Sequence, residues 1–209
     1  MKLKLSSAIL PLITISIIAF AMQIIFPNLT NSFALVSSEV ISRPWILLTS
    51  MFLHANFSHI FFNMYGLFMF GHFLEQKVGA RRFLLIYLLS GIFAAFVSSF
   101  FYESALGASG AIMGIIGALI ILMPELRLLF FFIIPMPLWV AGIIWALMDA
   151  FGVFFPSSVG NIAHLAGMGF GLLFGLYLRG KKQKFRNKFN SKSHLESDDI
   201  EDYLKSGRL

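Results

Sequence analysis

Cysteine is absent from the 209 residues, which excludes thiol catalysis, iron–sulfur clusters and disulfides. Charge is scarce as well: Asp, Glu, Lys and Arg make up 12% of the chain, where a soluble domain carries about 25%. Also missing are the HExxH signature of metalloproteases, a phosphate-cradling loop, a dinucleotide fingerprint and any internal repeat. What is abundant is apolar. Hydrophobic residues make up 58% of the chain and 25 residues are Phe, with a mean hydropathy of +0.82. This composition describes one multi-pass membrane domain rather than a soluble globule.

Apolar segments fall at about 7–26, 57–74, 83–102, 107–123, 137–153 and 160–178. Several approach the ~20 residues that span a bilayer, and the fourth and fifth lie at its lower limit of about 17. Six spans can be oriented by charge. Of 16 Lys and Arg, Lys2, Lys4, Lys77, Arg81, Arg82, Arg127 and the nine from Arg179 onward fall on one side, and only Arg43 on the other. The positive-inside rule then predicts an all-α, six-helix bundle with both termini cytoplasmic. Lys2, Lys4 and Ala19-Phe20-Ala21 have the look of a secretory signal. Its removal would leave five spans and put the basic tail outside, so a first transmembrane helix is expected instead. The membrane domain is expected over 1–180. Residues 181–209 read as a polar, disordered cytoplasmic tail whose basic half lies near anionic headgroups, not as a nucleic-acid site.

In this topology spans two, four and six all run inward from the outer face. Ser109 lies near the start of span four, His164 near the start of span six, and His54, His59 and Asn63 around the start of span two. Intramembrane polar and ionisable groups are costly and are functional candidates, and here three segments bring them to one depth. A serine hydroxyl needs a base to take its proton, and histidine is the usual one. Gly110 and Gly114 on span four, and Gly167, Gly171 and Gly175 on span six, form the small-residue stripes that let two helices approach. His59 and Asn63, four apart, share a helix face and offer N–H donors to a developing oxyanion. His54 is expected in the loop before them. Two histidines and an asparagine could instead hold zinc, but with no HExxH and no carboxylate nearby no metal or cofactor is expected.

Other polar residues receive plainer readings. Asp149, near the outer end of span five, has no obvious partner and is not expected to complete a triad. His72 is structural, Pro135 and Pro137 mark the turn into span five, and Glu75, Arg81 and Arg82 form a solvated cytoplasmic turn.

The ordered set HANFSHIFFN at 54–63, GASG at 107–110 and AHLAGMGFG at 163–171 resembles the rhomboid intramembrane serine proteases. GHFLEQKVGARRFLLIYLLSG at 71–91 is similar to the stretch joining that family's second and third helices. The resemblance covers about residues 40–178. It implies Ser109 as nucleophile and His164 as its base, a dyad without a carboxylate. It further implies His59 and Asn63 as oxyanion donors beside the Ser109 backbone N–H, and His54 as a residue shaping the entrance. Implied partners are the bilayer and single-span protein substrates with helix-weakening residues and a small residue before the cut. A cell-membrane location with the site toward the outer face follows from this reading. Two departures stand out: Arg43-Pro44-Trp45-Ile46 replaces the family's Trp-Arg, and Met113 stands where an aromatic residue often lies beneath the histidine. An inactive relative that binds transmembrane segments is the alternative. A small transporter is a third reading, without the inverted repeat that would favour it.

Overall fold

Each of the six apolar segments is helical. The computed structural model describes residues 7–26, 28–130, 134–155, 159–189 and 205, without the side chains of 130, 134 and 184–189. In chain order the elements are α1 (Ile9–Ile25), α2 (Asn28–Phe33), β1 (Leu35–Val36), a 3₁₀ turn, α3 (Ile46–Thr49), a second 3₁₀ turn, α4 (Phe57–Val78) and α5 (Ala80–Ser98). There follow β2 (Ser104–Ala105), α6 (Ser109–Leu122), β3 (Arg127–Phe130), β4 (Ile134–Pro137), α7 (Leu138–Gly152) and α8 (Asn161–Phe189). The six expected segments fall on α1, α4, α5, α6, α7 and α8. Ala80–Ser98 and Asn161–Gln183 are long and apolar enough to cross a bilayer, whereas α1, α6 and α7 are apolar but shorter. At 1.5 Å per residue α6 covers about 21 Å, less than the ~30 Å hydrocarbon core.

α6 is the centre of the bundle because its small and branched residues leave no polar face. Gly110, Ala111, Ile112, Gly114, Ile115, Ile116, Gly117, Ala118 and Leu119 are all buried. It packs on α8 backbone to backbone. A Cβ on Gly167 would lie 2.0 Å from the Gly110 carbonyl oxygen, and one on Gly171 would lie 1.9 Å from that of Gly114. The glycine stripes are therefore the contact itself, as the spacing predicted. Outward-facing side chains such as Ile17, Phe68, Phe93, Leu147 and Leu173 are exposed apolar groups, which suits a lipid surround.

Several features depart from the sequence reading. α4 and α5 meet at one residue, Gly79, whose φ of +81° suits glycine alone. The Glu75 carboxylate accepts from Ser7 Oγ and from the Ala8 N–H, each at 2.6 Å. It is thus a cap for the start of α1 and not part of a solvated turn. Two small antiparallel sheets were not anticipated. β1 pairs with β2 through Leu35 opposite Ala105, and β3 pairs with β4 through Arg127 opposite Pro137. Pro137 does precede α7 directly. α8 continues to Phe189, past the expected boundary at 180; the rest of the expected tail, Lys205 aside, lies outside the described residues, as do Lys2 and Lys4.

Candidate active site

The start of α4 is set by Asn56, whose side-chain oxygen accepts from the His59 N–H at 2.9 Å. This N-cap fixes His59 in the first turn, and Asn63 follows one turn later on the same face. The start of α6 is set from behind. The Gly107 N–H donates to the Ser50 carbonyl at 2.9 Å, and the β1–β2 pairing holds the preceding residues. Gly107 has φ +123°, and a Cβ there would meet Cε1 and Nε2 of His59 at 2.8 Å. The glycine therefore lets the His59 ring lie against the loop that delivers Ser109. Ser109 is the first residue of α6, where backbone N–H groups lack intrahelical acceptors. At the start of α8 the Ile162 N–H donates to the Tyr102 hydroxyl at 3.0 Å, anchoring the turn that carries His164.

These three helix starts meet at a cavity of about 400 Å³ whose lining includes His59, Asn63, Gly107, Ser109, Ala163 and His164. All four expected site residues are there. Ser109, His59 and His164 are half-buried and Asn63 is buried. Among the described residues no direct hydrogen bond joins Ser109 to His164. The Ala55 N–H approaches His59 Nδ1 at 3.4 Å, an arrangement that leaves the other ring nitrogen as the donor. Asn63 donates one amide hydrogen to the His59 carbonyl at 2.8 Å and has a second to give. A larger cavity of about 650 Å³ is lined by Lys77, Arg82, Arg179 and Lys181 among apolar residues, and contains no nucleophile–base pair. Among the described residues no three His, Cys, Asp or Glu side chains gather as metal ligands.

His54 precedes α4, as expected, and is almost fully buried. Burial, and then the neighbouring His59, hold its pKa down to about 4. Neither ring nitrogen makes a well-formed hydrogen bond, and the ring meets His59 edge-on with centroids 5.2 Å apart. Its backbone is clamped by Gln23 of α1, which accepts from the His54 N–H at 3.0 Å and donates to the His54 carbonyl at 3.2 Å. Sequence reasoning missed Gln23. It also left Asp149 without a partner, whereas Asp149 Oδ1 lies 3.0 Å from His164 Nδ1. α7 packs against α8, which brings the two groups together.

A mostly helical membrane domain, with a serine at one helix start and histidines at two others, defines a class of intramembrane protein. The family model described as Rhomboid domain matches residues 42–181, and the chain belongs to the rhomboid family. It is 33% identical over 73% of its length to "RHOMBOID-like protein 6, mitochondrial" of Arabidopsis thaliana. It is 31% identical over 76% to "Rhomboid protein 1, mitochondrial" of Saccharomyces cerevisiae. To "Rhomboid protease GluP" of Bacillus subtilis it is 40% identical over 59%. The chain spans 49% of each of the first two relatives and 24% of the third. These names divide between mitochondrial and bacterial proteins. They agree with a membrane location without selecting the cell membrane expected above.

Proposed function

We propose that this chain is a six-span intramembrane serine endopeptidase. Both termini lie on the side of the basic segments, the site opens toward the opposite face, and a polar tail follows the membrane body. Ser109 Oγ attacks the scissile carbonyl as His164 takes its proton, and His164 then protonates the leaving amine. Water next hydrolyses the acyl-enzyme. His59, Asn63 and the Ser109 backbone N–H donate to the oxyanion. A substrate helix must unwind first, because a helical carbonyl is already hydrogen-bonded. The observation that carries this reading is the convergence of Ser109, His164, His59 and Asn63, from three helices, on one cavity. Single-span membrane proteins are the substrate class that fits.

The test is covalent labelling by a fluorophosphonate, which reacts with an activated serine. The native protein in lipid is expected to label at Ser109. Ser109→Ala should not label, and His164→Ala should label at least about 100-fold more slowly, the scale of a lost general base. Labelling that ignores His164 would contradict the reading. An inactive relative that only binds transmembrane segments remains the alternative. It would bind such segments without labelling at all.

A further inference from the structure

We propose that Asp149 is a positioning residue for His164, so that the reacting unit of this chain is a Ser109–His164–Asp149 triad. This goes beyond the pair that the family resemblance implies, and it rests on the protease reading above. Asp149 Oδ1 is 3.0 Å from His164 Nδ1, with the two side chains 10% and 13% exposed respectively. His164 lines the cavity with Ser109, whereas Asp149 is not among the residues that line it. The imidazole thus links the carboxylate to the cavity that holds the Ser109 hydroxyl.

The chemistry of the donors makes the order meaningful. An ionised carboxylate only accepts hydrogen bonds, so the ring nitrogen facing it must carry the proton. With Nδ1 protonated, the lone pair of a neutral imidazole sits on Nε2, the nitrogen that must receive the Ser109 proton. As the Oγ–carbon bond forms, that proton moves from Oγ to Nε2 and the ring becomes imidazolium. The Nδ1 proton stays where it is and the carboxylate remains ionised, opposing the new positive charge. The His164 Nδ1–H in turn gives the buried Asp149 carboxylate a hydrogen-bond donor, which accounts for a costly group in an apolar helix.

A purely structural role would make the same contact only to fasten α7 to α8, and the test separates the two. Full-length protein in lipid vesicles, given a single-span substrate, is compared with Asp149→Asn and Asp149→Glu. In Asp149→Asn kcat is expected to fall by up to about 10⁴-fold, the loss seen when a serine protease has its Asp partner changed to Asn. KM should stay within roughly threefold, because substrate binding is untouched. Asp149→Glu should recover part of the loss. A folded Asp149→Asn protein with native kcat would overturn the triad and leave the Ser109–His164 reading standing. Should Asp149→Asn not fold, the ¹⁵N spectrum of His164 in the native protein decides. A proton on Nε2 overturns the proposal, and a proton on Nδ1 together with a lowered kcat at unchanged KM in Asp149→Glu supports it. A native protein that neither cuts nor labels at Ser109 would remove the protease reading and the triad with it.

Discussion

Gly107 shows how little room the site allows. Its φ of +123° is strained for any L side chain, and an added methyl would strike the His59 ring. A ring at the end of a flexible side chain can move, so Gly107→Ala should fold with a loss of about 1–3 kcal/mol from backbone strain. Under the proposed function activity should suffer more, falling roughly 100-fold as His59, the proposed oxyanion donor, is displaced. Thermal unfolding and cleavage rate, measured on one preparation, would separate the two effects. His54 carries a different expectation. Its pKa is near 4 in the fold against an ordinary value of about 6.5 when unfolded. Below pH 6.5 the unfolded chain binds the proton that the native state refuses, so stability falls as pH drops from 6.5 toward 4. The unfolding midpoint should decline over that window and decline less in His54→Asn. That Ser109, His164, His59 and Asn63 would gather was legible because each lies near the same end of an apolar segment, and all four line one cavity. Gln23 was not, since it binds the backbone of a residue 31 positions away and leaves no periodic trace. Asp149 was legible as a costly group but not as a partner, because His164 lies 15 residues away on a different helix.

Between elements, the α6–α8 contact is the one the sequence described best, since paired four-residue glycine stripes have few other uses in a membrane helix. It also separates two glycines of the same helix. A Cβ on Gly167 would press on backbone at 2.0 Å, while one on Gly169 meets nothing within 4 Å. Gly167→Ala must therefore part the helices and should cost about 1–3 kcal/mol, the range for overpacking. Gly169→Ala should be neutral, or stabilising by up to about 1 kcal/mol through helix propensity. Unfolding midpoints of the two variants in the same detergent check this, and equal midpoints would contradict it. The cap that Glu75 gives α1, and the β3–β4 hairpin, were not legible. The first depends on a contact 68 residues apart in the chain. The second lies in an apolar run of Leu, Phe and Ile that hydropathy alone reads only as the connection before α7.

At the scale of the whole molecule, composition and charge asymmetry identified a membrane protein before any motif was considered, and family membership agrees with that. Helix length and hydropathy support only two spans directly, because α1, α6 and α7 are short. The shortness of α6 suits the proposed function. In the proposed topology a 14-residue α6 would keep Ser109 at a helix start within reach of water instead of deep in hydrocarbon. The central claim is that this chain cuts peptide bonds with Ser109 and His164, and cleavage tests it most directly. The purified protein in lipid vesicles, with chelator present, would be given a single-span substrate beside Ser109→Ala and His164→Ala, and the products identified by mass. The expected result is cleavage by the native protein within or next to the transmembrane segment and silence from both variants. Cleavage that survives in either variant, or tight substrate binding by a native protein that never cuts, would contradict it.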